Sequence, residues 1–190
     1  MKVLMVGETG QLARFMQITQ PQSNNRPNGS TQNKDSKVEL VCLGREQMDL
    51  SQPERINDIL AGYTFDALVN AAAYTAVDKA ESEPDLAQMI NADSPAELAK
   101  VCAERDVPII HYSTDYVFSG DASRPYKEED ATGPNSVYGQ TKLAGERAIR
   151  GAAEKYFIFR TAWVYGELGQ NFFLTMRRLA KQRDSLSIVN

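Results

Sequence analysis

Four apolar residues at 3–6 break at Gly7, and helical spacing through Leu12, Phe15 and Met16 follows at once. This opening leaves the chain few choices of fold. A buried strand that feeds a helix through a glycine-bearing turn is the start of a βα unit. The alternation then repeats. The pattern predicts further strands over 38–43, 67–72, 107–113 and 156–160, and helices over 10–18, 53–61, 84–105, 135–151 and 171–183. Pro53 suits a first helical turn, and Leu86, Ile90, Leu98, Val101 and Cys102 share one side of the long helix. Strands joined through helices run parallel by right-handed crossovers. The expectation is an α/β fold with a doubly wound parallel sheet of the Rossmann type, one dinucleotide-binding domain over 1–190.

One segment breaks the rhythm. Residues 20–37 hold two prolines, a glycine and many Asn, Gln and Ser, too little apolar surface to offset chain entropy. They are predicted to be a mobile surface insertion. A last strand is expected to open at 185–190. The net charge of −4 speaks against a nucleic-acid partner, whose binding needs a basic face. No apolar run approaches membrane-span length, and the first ten residues are unlike a signal peptide, so a cytoplasmic protein without membrane contact is expected. Cys42 and Cys102 lack a CxxC neighbour and read as reduced, buried thiols. His111, the sole histidine, lies in a strand-like run and reads as a core residue; no metal site is predicted.

The first strand–helix junction is Gly7-Glu8-Thr9-Gly10-Gln11-Leu12-Ala13. Glycines three apart permit a tight turn and close approach to a pyrophosphate, and the helix behind them offers free N–H groups and a positive dipole end. Ala13 takes the third small position. The second strand ends Leu43-Gly44-Arg45, with no acid for a ribose hydroxyl. A guanidinium there can pair with a 2′-phosphate, which favours NADPH, with NADH the second candidate. An ordinary exposed arginine is the other reading of Arg45. Asp49 and Leu50 follow; Asp49 either reaches an adenine edge or caps the next helix.

Two further segments carry chemistry. Tyr112-Ser113-Thr114-Asp115-Tyr116 closes a strand, and Tyr138-Gly139-Gln140-Thr141-Lys142 opens a helix. Tyr138 and Lys142, four apart, share one helix face. Ketone reduction needs a hydride on carbon and a proton on oxygen. A phenol can give that proton if its pKa falls from about 10 toward about 7, roughly 4 kcal/mol of phenolate stabilisation. A lysine and an oxidised nicotinamide have the right sign to supply it. Thr114 at the strand end can hydrogen-bond the carbonyl oxygen.

The order of these motifs, with Asn-Ala-Ala-Ala-Tyr-Thr-Ala-Val-Asp-Lys-Ala-Glu-Ser-Glu-Pro at 70–84, Ser-Thr-Asp-Tyr-Val-Phe-Ser-Gly at 113–120, Val-Tyr-Gly-Gln-Thr-Lys-Leu-Ala-Gly-Glu at 137–146 and Phe-Arg-Thr-Ala-Trp-Val-Tyr-Gly at 159–166, resembles the extended short-chain dehydrogenase/reductase superfamily. Within it the chain is most similar to the branch that reduces the C4 keto group of dTDP-4-dehydro-L-rhamnose, giving a cell-surface polysaccharide precursor. The resemblance implies that Gly10, Gln11 and Leu12 sit on the pyrophosphate and that Asp49 and Leu50 contact adenine. Ala72, Ala73, Tyr74 and Tyr112 would line the cofactor, and Thr114 and Asp115 would touch the sugar. Tyr138 would be the acid, Lys142 its partner and ribose ligand, and Trp163 a platform for sugar or nucleotide. A core position is the lesser reading of Trp163, while Tyr74 and Tyr116 read equally as packing residues. Dehydratases of the superfamily carry an Asp-Glu pair after the threonine; Asp115 is followed by Tyr116, which favours plain reduction. The resemblance also implies a further carboxyl-terminal substrate region, expected to be incomplete here. A non-catalytic cofactor-binding subunit, like the regulatory subunit of methionine adenosyltransferase, and reduction of another nucleotide sugar are the alternatives. A homodimer and a Mg2+ requirement stay open.

Overall fold

The computed structural model describes residues 1–19, 38–183 and 185–186. The insertion expected at 20–37, and all but two residues of the strand expected at 185–190, lie outside them. Five parallel strands are seen: β1 Lys2–Val6, β2 Glu39–Leu43, β3 Ala67–Asn70, β4 Ile109–Thr114 and β5 Tyr156–Thr161, in spatial order β2-β1-β3-β4-β5. This is the doubly wound sheet of the sequence reading. β1 is central and helices cover the sheet on both faces, so Val3–Val6 is buried on both sides and reads as an unbroken apolar run. Leu4 and Val6 join Leu68, Ile109, Leu98 and Ile149 in the larger core, under α2 Ile56–Ala61, α5 Ser94–Glu104 and α6 Val137–Ala152. Val3 and Met5 join Ala13, Ala67 and Val69 on the other face, under α1 Gln11–Ile18.

The expected long helix over 84–105 is three pieces. α4 Pro84–Gln88 passes through a π turn at Met89–Asp93 before α5 begins. Pro95 is the cause. It has no N–H to return to the carbonyl four residues earlier and would collide with it, so the backbone widens and Ser94 N closes on Met89 O instead. The freed Asn91 carbonyl faces α6: a Cβ built on Gly145 would lie 2.1 Å from Asn91 O. The helices therefore meet backbone to backbone.

Smaller departures have local reasons. The strand expected over 67–72 stops at Asn70, because Ala72 N turns to the Asn70 side chain. The helix expected over 53–61 starts as a 3-10 turn, Pro53–Arg55. Two short helices, α3 Val77–Ala80 and α7 Phe172–Leu179, complete the α-helices among the described residues, the latter narrower than the expected 171–183. Cys102 is buried, which pushes its thiol up to about 12, and Cys42 is only half-buried rather than fully so. No described helix is long and apolar enough to cross a membrane.

Candidate active site

The chain leaves β1 toward β2 on one side, while β3, β4 and β5 extend the sheet on the other. Connections diverge at the carboxyl ends of β1 and β3, which is where an open α/β sheet forms a crevice. A cleft of about 740 Å³ lies there, the right size for a small-molecule site. Gly7 makes its floor. It has φ +101°, and a Cβ on it would stand 3.1 Å from Ala72 N and 3.2 Å from Ala71 C, so this position requires glycine twice over. Gly10 caps α1 without a side-chain hydrogen bond, and its Cβ position is nearly open; the freedom there faces the cleft. Gln11 and Leu12 continue the wall with the first N–H groups of the helix.

Arg45, Asp49 and Leu50 line the far end. Arg45 is largely exposed, with Nε 3.4 Å from Asp49 Oδ2. Asp49 Oδ1 accepts from Ser51 N and Ser51 Oγ, which hold its carboxyl below the usual range; it folds its own loop rather than capping a helix. An acid does stand at the end of β2, contrary to the sequence reading. It comes from the glycine loop: a Cβ on Gly44 would lie 2.6 Å from Glu8 Oε2.

At the opposite end, β4 delivers Thr114 and α6 delivers Tyr138 and Lys142. Ser136 caps α6 by accepting from Gly139 N. A Cβ on Gly139 would fall 2.3 Å from Tyr116 O, so glycine lets the helix start press against the 3-10 turn Asp115–Val117. That contact sets the Tyr138 ring edge-on to Tyr116, 5.6 Å between centroids. Thr114 Oγ1 donates to Asp115 Oδ1 and accepts from Tyr116 N. The Tyr138 phenol is not lowered as expected. Burial raises it, the Thr114 hydroxyl eases it back, and Asp115 and Tyr116 raise it further. Lys142 does not counter this, because its Nζ is turned to Tyr112 O at 2.6 Å and to His111 Nε2 at 3.2 Å. Burial lowers Lys142 to about 8, against the pull of Glu146.

A family model described as RmlD substrate binding domain matches residues 1–190. The chain belongs to this family. A curated relative, dTDP-4-dehydrorhamnose reductase of Salmonella typhimurium, is 45% identical over 190 residues, covering 100% of this chain and 60% of its own. The Escherichia coli K12 protein of the same name is 53% identical over 142 residues, 75% of this chain and 48% of its own. Among solved structures, a dTDP-4-dehydrorhamnose reductase from Clostridium acetobutylicum has TM-score 0.86 and 38% identity over 98% of this chain and 61% of that one. The Bacillus anthracis reductase in complex with NADP has TM-score 0.82 and 32% identity over 96% and 60%. The chain thus spans half to three fifths of the length of these relatives.

In this RmlD-family chain the cleft gathers all but one of the residues singled out from sequence. Tyr74 is the exception. Its hydroxyl donates to Glu83 Oε2 and its backbone is held by Asn91, so it packs the outer wall. Trp163 lines the cleft at 73% exposure, which removes the core reading; its ring meets Phe172 edge-on. Gln11 ties the segment after β5 to α1, accepting from Asn171 Nδ2. His111 is buried as the sequence reading expects; that reading missed three other groups behind the cleft, the buried Asn91 and Glu146 and the half-buried Arg160. Asn91 bridges Tyr74 and Thr141, and His111 touches Lys142. Glu146, fully buried, accepts from Ser113 Oγ and from Arg160 Nε and Nη2, clamping α6 to β4 and β5. A polar residue inside an apolar helix, four before a proline, was the available signal for Asn91; Glu146 and Arg160 gave none.

Proposed function

We propose that the chain carries the cofactor-binding and proton-donating part of a reductase that converts the C4 keto group of dTDP-4-dehydro-L-rhamnose to an alcohol with NADPH. The observation that carries this reading is the convergence of Thr114, Tyr138 and Lys142 on one cleft with the glycine loop, in a chain whose relatives bear that reductase name.

Two features fit a dinucleotide. The Gly7 cradle would be filled by any Cβ, and Gln11 Nε2 in the cleft wall is a buried donor without a partner among the described residues. Gly7, Gly10, Gln11 and Leu12 would hold the pyrophosphate through backbone N–H groups, Asp49 and Leu50 the adenine, and Ala72, Ala73 and Tyr112 the nicotinamide half. When bound, the reduced dinucleotide supplies the hydride. The protein's own part is the proton. A raised phenol stays protonated at rest, which suits a donor in the reducing direction. Tyr138 gives its proton to the C4 oxygen, a stronger base as it becomes alkoxide, while Thr114 hydrogen-bonds the same oxygen. Lys142 lies one helical turn on, its Nζ held by Tyr112 O and beside His111 Nε2; its charge would favour the phenolate left behind only once Nζ turns from these groups toward the phenol. Tyr116 in place of a second acid leaves water elimination without its acid/base pair. Asp115 and Trp163 would meet the sugar nucleotide. A cytoplasmic enzyme, dimeric or not, fits this reading; the reductase names of the relatives lend nothing to a regulatory subunit.

The test is NADPH oxidation in the presence of the keto sugar. Tyr138→Phe is expected to cut turnover at least about a hundredfold, the scale of a lost general acid, while fluorescence titration shows NADPH still binding. Undiminished turnover would remove Tyr138 as the acid and the reading with it.

A further inference from the structure

A buried file of polar groups runs behind the cleft from Lys142 to Ala72, and two of its members, Asn70 and His111, have no part in the reaction above. Ala72 N donates to Asn70 Oδ1 at 3.2 Å, Asn70 Nδ2 lies 3.1 Å from His111 Nδ1, His111 Nε2 lies 3.2 Å from Lys142 Nζ, and Nζ donates to Tyr112 O at 2.6 Å. Asn70, His111 and Lys142 are each 1% exposed, and Asn70 and His111 are partners in the β3–β4 register. Water cannot easily complete what this file lacks, so its donors and acceptors have to balance internally.

Both ends are fixed by chemistry. A backbone N–H only donates and a backbone carbonyl only accepts. Asn70 must therefore offer its oxygen to Ala72 and its amide N–H to His111, which makes Nδ1 an acceptor. A neutral imidazole that accepts at Nδ1 carries its proton on Nε2. That N–H points at Lys142 Nζ, which can accept only as a neutral amine. A charged Lys142 has three donors and no lone pair. It needs Nε2 as the acceptor, which sends the ring proton to Nδ1, against the Asn70 amide. Balance then returns only if that amide turns and releases Ala72 N.

We propose that His111 and Asn70 are positioning residues that couple the charge of Lys142 to the Ala72 segment of the cleft wall through the tautomer of the His111 ring. The proton sits on Nε2 when the lysine is neutral and on Nδ1 when it is charged. The charges around Lys142 agree with this. Glu146, one turn along α6, favours the ammonium, but it is shared with Arg160 of β5 and Arg150. Tyr138 lies one turn back with Asp115 beside it, and the Tyr112 phenol of β4 is raised by burial. Burial and the lysine charge hold His111 well below the usual histidine range, so the lysine is the group that changes charge, near pH 8. Only the catalytic consequence, a switchable charge beside Tyr138, rests on the proposed reduction.

His111 is the sole histidine, so the ring 15N resonances of the labelled protein report on it alone. The wild type is expected to pass from the Nδ1–H to the Nε2–H pattern as pH rises through about 8. Lys142→Met should show Nε2–H throughout. Asn70→Asp, whose carboxylate accepts from both Ala72 N and Nδ1–H, should keep Nδ1–H about one pH unit further up at least. A single wild-type tautomer between about pH 6 and 10, or a switch that survives Lys142→Met, overturns the coupling. The titration needs no turnover. A switch seen alongside an undiminished Tyr138→Phe enzyme would sink only the reductase reading; no switch alongside a dead Tyr138→Phe enzyme would sink only the coupling.

Discussion

Lys142 is expensive to keep. Burial lowers it from 10.5 to about 8, so across that window the unfolded chain holds a proton that the folded one does not. Stability therefore rises as pH climbs from about 8 to 10.5, and the full cost is present below about 8. At about 1.4 kcal/mol per pH unit the gap is worth about 3 kcal/mol. Lys142→Met should accordingly be more stable relative to wild type at pH 7 than near pH 10.5, by that order, in urea titrations at the two pH values; a difference that does not change with pH contradicts the buried-charge account. At the other end of the cleft, under the proposed function, Arg45 and Glu8 would pull coenzyme choice in opposite directions. A guanidinium attracts a 2′-phosphate, and a carboxylate repels it while accepting from a 2′-hydroxyl. Arg45→Ala should weaken NADPH more than NADH, and Glu8→Gln should weaken NADH more than NADPH, each by about tenfold in Kd, the worth of one charge-assisted hydrogen bond. Equal losses for the two coenzymes in either variant would show that its side chain does not read the ribose.

Among the elements, α6 carries Tyr138 and Lys142 to the cleft, and its glycines are not equivalent. Gly145 meets the Asn91 carbonyl of the π turn, where a Cβ would fall at 2.1 Å. The obstacle is main chain and cannot swing aside. Gly145→Ala should cost at least about 2 kcal/mol of unfolding free energy and push Lys142 and Tyr138 out of place. Gly151, in the same helix, has nothing within 4 Å of its Cβ position. There alanine should stabilise by up to about 1 kcal/mol, through helix propensity alone. Chemical denaturation of the two variants checks both signs; a neutral Gly145→Ala would mean that α6 stands further from the π turn than described.

For the whole molecule, the switch point couples ligand binding to stability. NADPH at a hundred times its Kd should add about 2.7 kcal/mol, which for a domain of this size raises Tm by about 5–10 °C. Gly7→Ala should abolish the rise, since a Cβ closes the floor of the cleft on Ala71 and Ala72; a wild-type shift retained by that variant would place the binding elsewhere. The sequence by itself determined the wound sheet, the glycine loop and the Tyr138–Lys142 pair, because strand alternation, helix spacing and a four-residue offset are written in neighbouring residues. The end of the β3 run at Asn70 and the π turn before Pro95 are local matters too, each carried by one side chain: an asparagine that takes Ala72 N and a proline without an N–H. Only the tertiary structure decided the protonation chemistry. The raised phenol, the lowered lysine, the Glu8 carboxylate beside Gly44 and the Asn70–His111 file all depend on groups that folding brings together, most of them across 30 residues or more. Desolvation and hydrogen-bond balance act on whichever atoms end up adjacent in space, and adjacency across a sheet has no signature in the spacing of residues along the chain.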